Sequence, residues 1–265
     1  MSARASTEPN PPSGYLDHSR RPLHILLFLL PLVVVYEIAL AVLLRHDGAV
    51  VSNLAHVRLL EVMSGLGVPA TSGLYLGGFV IVAVLLAWHL LARDPWRVRP
   101  GVLGGMTVEA LVLTVPLLVL ARILPQMLIA PETAGAAPLL LAAVPPAPEA
   151  AAVPDQFTRL AISIGAGLYE ELVFRMLLIA MIHTLVVDLL RLPGGLGTTA
   201  GVLVSTLLFV LYHPISQCTT ADLAFLTLGG LYFGVIYVVR GFGIVVAVHA
   251  IYDALTFATA TPSLS

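Results

Sequence analysis

The chain has 265 residues, of which 58% are hydrophobic and only 11% charged, and its mean hydropathy of +0.98 excludes an ordinary soluble domain. A formal net charge of −2, with all thirteen positive residues arginine, leaves no basic surface for nucleic acid. The single cysteine, Cys218, excludes an internal disulfide and a thiol-based metal cluster, and it reads as a packing residue.

Residues 1–22 carry Pro, Ser, Arg and Asp without apolar periodicity and read as a disordered tail. Seven apolar, helix-compatible segments follow, near residues 23–44, 71–91, 102–124, 157–187, 198–213, 221–239 and 241–258; the last three are short or closely joined. About 20 residues cross a bilayer core, so the pattern predicts an all-α, polytopic transmembrane helix bundle of about seven spans, with six to eight compatible. Its divisions are the tail, N-terminal transmembrane helices over 23–124, an Ala/Pro-rich loop over 125–156 and a C-terminal core over 157–258. Pro131, Pro138, Pro145, Pro146 and Pro148 mark the loop as irregular and extramembrane.

Arg20 and Arg21 precede the first apolar run, and Ala39-Leu40-Ala41 offers a cleavage pattern for a signal peptide. The run is too long for that reading, contains Pro31 and Glu37, and is followed by further spans, which favours a retained first helix. Ser19-Arg20-Arg21 bears only a faint likeness to a twin-arginine signal, and positive-inside anchoring explains it more simply. In a seven-span arrangement Arg4, Arg20, Arg21, Arg93, Arg97, Arg99, Arg191 and Arg240 share one side, against Arg45, Arg58, Arg122 and Arg159 on the other. This bias predicts an N-terminus inside and a C-terminus outside.

The stretch Gly167-Leu168-Tyr169-Glu170-Glu171-Leu172-Val173-Phe174-Arg175 sets two carboxylates and an arginine inside an apolar segment. Each ionised group near a helix centre costs roughly 2.5 to 3.5 kcal/mol on insertion scales, so such groups face a protein interior or a wet cavity and usually have a task. On a helix Glu171 and Arg175, four apart, share a face, whereas Glu170 is turned about 100 degrees away. Glu171 thus has a cationic partner, and Glu170 is left to point into a cavity as a general base. The competing reading is an ion-pair network that only orients helices.

Two later segments add polar groups at helical spacing: Phe209 with His213, and His249 with Asp253. His213 alone, with Pro214 behind it, reads as a capping or interfacial residue, and His249 alone as a packed one. Together with the carboxylates they form three polar islands in three apolar segments. Glu37, Glu109 and His89 lack a motif and read as helix contacts or interfacial groups. Gly229, Gly230, Gly234, Gly241 and Gly243 allow close helix packing, and Trp88 and Trp96 suit an aromatic belt.

In combination, Glu170-Glu171 with Arg175, Phe209 with His213 and His249 with Asp253 resemble the EExxxR, FxxxH and HxxxN or HxxxD pattern of the CPBP family of intramembrane proteases. That family includes the bacterial relatives of the CAAX prenyl endopeptidase (the Abi group), and the likeness covers roughly residues 160–258. It implies a glutamic-type endopeptidase acting within the membrane on a membrane-embedded or lipid-linked protein or peptide. The catalytic residues it implies are Glu170 as base, Glu171 beside it, His213 helping to activate water, and His249 with Asp253 stabilising the oxyanion; Arg175 and Phe209 are structural support.

The prenyl endopeptidases resemble one another in using Asn where this chain has Asp253. An ionised Asp cannot donate to an oxyanion, so Asp253 is either a protonated donor, the favoured expectation, or a residue that orients His249. No cofactor is expected. The alternative is zinc held by Glu170, His213, His249 and Asp253, an adequate N/O ligand set, although the chain has no HExxH motif. The expected setting is a bacterial inner (plasma) membrane, with the bilayer and a substrate as partners and no nucleic acid. The rival class is a non-catalytic immunity factor or transporter-like component using the same charges for helix packing or proton movement.

Overall fold

A computed structural model of the protein describes residues 14–42, 45–46, 49–50, 65, 76–128 and 156–259. The Ala/Pro-rich segment beyond residue 128, and the tail before residue 14, lie outside the described residues. The elements are α1 (Tyr15–Ser19), α2 (Pro22–Val42), β1 (Arg45–His46), β2 (Ala49–Val50), α3 (Leu76–Ala92), α4 (Pro100–Leu128), α5 (Gln156–Leu189), α6 (Gly194–Tyr212), α7 (Thr220–Arg240) and α8 (Phe242–Thr259). Strands β1 and β2 pair antiparallel over two residues each, and the rest of the described structure is helix and connection.

Five of these helices, α2, α4, α5, α6 and α7, are long and apolar enough to cross a membrane, and α3 and α8 are shorter apolar helices. The architecture is therefore an all-α polytopic bundle, in which the fifth and sixth expected segments prove full-length at 19 and 21 residues. Exposed apolar side chains such as Val35, Leu111, Leu207 and Val238 cover its outer faces. Such a surface suits hydrocarbon, where every backbone polar group must be satisfied within a helix.

Local chemistry explains several boundaries. Pro22 and Pro100 open α2 and α4, where the missing N–H is an unpaired group in any case. Thr219 caps α7: its hydroxyl accepts from the Asp222 N–H at 3.2 Å, while the Asp222 carboxylate accepts from the Thr219 N–H at 2.9 Å. Gly241, at φ 91°, then turns the chain from α7 into α8 through a single residue, a conformation that suits glycine.

Within the segment 1–22 expected to be irregular, residues 15–19 form the short helix α1. Its polar groups find partners inside the protein: Tyr15 donates to Glu109 of α4 at 2.5 Å, and Arg240 of α7 donates to Ser19 at 3.0 Å. At its other end α4 continues past the predicted limit at residue 124, through Pro125, to Leu128.

Helix α8 is the centre of the packing. Phe242 and Val246 join a core with Leu29, Tyr36, Leu85 and Leu168 from α2, α3 and α5, whereas Ile244, Val245 and Val248 join a second core with Met106, Leu117 and Phe233 from α4 and α7. Residues 242–250 of α8 are all buried, so His249 is held among its neighbours.

Candidate active site

The site begins with a close approach of two backbones. A Cβ placed on Gly167 of α5 would stand 2.9 Å from the Ala250 backbone nitrogen and 2.9 Å from the Val246 carbonyl oxygen of α8. Only glycine allows this contact, and one turn further along α5 it brings Glu170 and Glu171 opposite His249. From Glu171 to Leu178 the helix widens into a π-helical stretch, a departure common at functional sites. Ser205 of α6 donates to the Phe174 carbonyl of that stretch at 2.7 Å, tying the widened turns to the next helix.

Glu171 and Arg175, both without exposed side-chain surface, form the expected ion pair, with Arg175 Nη1 3.1 Å from Glu171 Oε1. Arg175 Nη2 also donates to the Gly230 carbonyl of α7 at 3.3 Å. The guanidinium lies 4.3 Å from the Phe209 ring centroid and 5.2 Å from that of Phe233, so two aromatic rings flank the buried cation. Glycine at 230 makes this possible, since a Cβ there would stand 3.2 Å from the Phe209 ring and 3.2 Å from Thr206.

His249 is where the two carboxylates converge. Its Nδ1 lies 2.7 Å from Glu171 Oε1, and its Nε2 lies 3.4 Å from Asp253 Oδ2 and 3.9 Å from Glu170 Oε2. Phe233 stacks on the imidazole, with centroids 4.7 Å apart and planes 19° from parallel. Glu170, Glu171, His249 and Asp253 are all buried.

His213 approaches from α6, where it is the C-cap residue and is itself buried. Its Nδ1 lies 2.8 Å from the Phe209 carbonyl oxygen. A carbonyl can only accept, so Nδ1 carries the proton, and in the neutral ring Nε2 is an acceptor. The Phe209 ring, 4.7 Å from His213 and 6.4 Å from His249, links the two histidines.

Every residue expected at the site therefore lies in or beside one buried cluster contributed by α5, α6 and α8. Two contributors from α7, Phe233 and the Gly230 carbonyl, were not legible as site groups. Gly230 carried only a packing signal, and Phe233 looks like any apolar residue of its helix. Among the described residues no group of three or more His, Cys, Asp or Glu is placed to hold a metal ion.

The other intramembrane polar residues make helix contacts. Glu109 receives a bidentate interaction from Arg240, whose Nη2 lies 2.7 Å from Glu109 Oε2. Glu37 accepts from the Gly78 N–H at 3.1 Å, and buried His89 packs edge-on against Trp96 with centroids 4.4 Å apart. Beside the site, an apolar cavity of about 500 Å³ lies among α2, α4, α5 and α8, lined by Phe28, Pro31, Leu103, Ile164 and Ala250 among others.

Fold and site together define a multi-pass helical membrane protein whose last four helices enclose a buried cluster of carboxylates, histidines and arginine. Residues 155–255, which contain that whole cluster, match the family model Rce1-like, the type II CAAX prenyl endopeptidase Rce1-like family. Over those residues the match bears out the likeness carried by the three motifs. Neither a curated protein nor a solved structure matches the chain.

Proposed function

We propose that this protein is an intramembrane endopeptidase that hydrolyses a peptide bond in a membrane-embedded or lipid-linked protein or peptide, with Glu170 activating water. The observation that carries this reading is the unequal treatment of two adjacent carboxylates. Glu171 is taken up by Arg175 and His249 at 3.1 and 2.7 Å, whereas Glu170 stands 3.9 Å from His249, beyond a direct hydrogen bond. A carboxylate held near donors but not consumed by them can accept a proton from water.

In this reading Glu170 removes a proton from water as the oxygen attacks the scissile carbonyl carbon, and it returns that proton to the departing amine as the C–N bond breaks. His213, accepting through Nε2, helps to orient the water. His249, when its Nε2 carries a proton, donates to the oxyanion in a site sheltered from bulk water, where such a donor is worth most. Asp253 Oδ2, 3.4 Å from the same Nε2, is placed either to orient the ring before the oxyanion forms or, protonated, to donate beside it. The neighbouring apolar cavity suits a hydrophobic chain on the substrate.

A prenylated protein is the substrate class that the family match suggests. A bacteriocin, a secreted peptide or a C-terminal sorting helix fits the same chemistry, and a bacterial inner membrane is the proposed location. The test is cleavage of a membrane-peptide library by the purified protein in detergent or liposomes. Products from the intact chain and none from Glu170→Ala support the protease. No products from either variant favour the non-catalytic rival, in which the Glu171–Arg175 pair locks helices.

A further inference from the structure

Phe233 stands outside the three motifs, yet its ring touches two of the groups on which the site depends. It lies nearly parallel to the His249 imidazole, 19° between planes and 4.7 Å between centroids, and the Arg175 guanidinium carbon is 5.2 Å from its centroid. The ring is itself buried, in the core where α7 meets α4 and α8. An imidazole held closely at Nδ1 alone is still able to rock about that nitrogen, and rocking swings Nε2. A flat surface against one face removes that freedom, and an aromatic ring does so with a favourable stacking contact.

We infer that Phe233 is a positioning residue, whose ring fixes the plane in which His249 spans Glu171 on one side and Glu170 with Asp253 on the other. The plane matters because the two contacts of His249 Nε2, at 3.4 Å to Asp253 and 3.9 Å to Glu170, are long and tolerate tilt, whereas the Nδ1 contact at 2.7 Å does not. Tilt therefore moves Nε2 relative to Glu170 and leaves the Glu171 bond largely intact. The same ring flanks Arg175, so it couples the cation that holds Glu171 to the histidine that meets both carboxylates.

This inference deepens the protease reading and rests on it for its kinetic consequence, while its structural consequence is measured independently. The variants are Phe233→Leu, which keeps apolar bulk without a flat face, and Phe233→Tyr, which restores the face. Purified protein in detergent is checked for folding by thermal melting and gel filtration. Histidine nitrogens are then read by ¹⁵N NMR, with His249 assigned by the signals lost in His249→Gln.

The expected result for Phe233→Leu is a His249 Nε2 signal that is shifted and broadened, with kcat down 10- to 100-fold and KM within twofold of the parent. Phe233→Tyr recovers both signal and kcat to within threefold. Unchanged His249 signals in folded Phe233→Leu, with turnover within threefold of the parent, overturn the inference. If Phe233→Leu does not fold, Phe233→Met, flexible enough to fill the same space, carries the comparison. Equal turnover by the parent and Glu170→Gln would count against the assigned base, and the nitrogen signals would still decide the role of Phe233.

Discussion

Gly167 on α5 and Ala250 on α8 are in backbone contact: a Cβ on Gly167 would lie 2.9 Å from the Ala250 nitrogen. The obstructing atoms are main chain, so no side-chain rotation relieves the clash. Gly167→Ala must push the two helices apart one turn from where Glu171 meets His249. The expected outcome is a loss of about 1–3 kcal/mol, the usual cost of overpacking, together with at least a tenfold fall in turnover. Thermal melting in detergent and a cleavage assay check it, and a variant with parental melting and turnover would refute the contact.

Glu170→Gln is expected to abolish proteolysis while insertion and folding persist, because the amide keeps the shape of the carboxylate but cannot take a proton near neutral pH. Exhaustive chelation should leave the activity of the unaltered chain intact, and elemental analysis should find no stoichiometric zinc. Near-parental turnover by Glu170→Gln would remove the assigned base. One zinc per active chain, lost with activity and restored with it, would reassign His213 and His249 as ligands.

Glu171→Gln and Arg175→Ala should lower stability as well as activity. Both side chains are fully buried, so removing either strands its partner, at a cost of about 3–5 kcal/mol. Arg175→Ala also leaves the Gly230 carbonyl without its donor and the Phe209 and Phe233 rings without their cation. Denaturation in mixed micelles should therefore show Arg175→Ala and Glu171→Gln both well below Glu170→Gln.

Asp253→Asn separates two roles. With Asp253 3.4 Å from His249, orientation predicts a variant slowed at every pH, by more than about a hundredfold or roughly 2.7 kcal/mol. A protonated donor instead allows Asn to substitute well, with a loss of turnover at alkaline pH in the parent that the variant lacks. The pH profiles of the two proteins decide between them.

The docking of α1 should depend on pH. Burial first, then the charges of Arg99 and Arg21, push the His18 imidazole below its usual 6.5, so the folded protein binds that proton less readily than the unfolded chain. The contribution is present in full above about pH 6.5 and is lost as pH falls from there toward the lower folded value. Amide protection over residues 15–19, taken relative to the intrinsic exchange rate at each pH, should fall between pH 7.5 and 5, and His18→Gln should flatten the change. An equal loss of protection in His18→Gln would assign it to another group.

Much of this was legible along the chain. The first and sixth apolar runs, read as 23–44 and 221–239, appear as Pro22–Val42 and Thr220–Arg240, because length and hydropathy are local properties that the bilayer selects. The pairing of Glu171 with Arg175 was legible for the same reason, since neighbours four apart on a helix meet whatever surrounds them. Helix α1 was not, because Tyr15 and Ser19 gain their partners from Glu109 and Arg240, far away in sequence.

The sequence by itself determined a helical, membrane-spanning chain, where its apolar segments fall, and which polar residue types sit inside them. Only the tertiary structure decided that both carboxylates meet one histidine. An α-helix turns Glu170 and Glu171 about 100 degrees apart, which suggested separate surroundings. They converge because His249, 78 residues beyond Glu171, offers a nitrogen to each side, and because Gly167 lets α8 come close enough to bring it there. Phe233 entered the site in the same way. Its apolar character placed it in a core, but which group its ring would face depended on how α7 and α8 pack across the turn at Gly241.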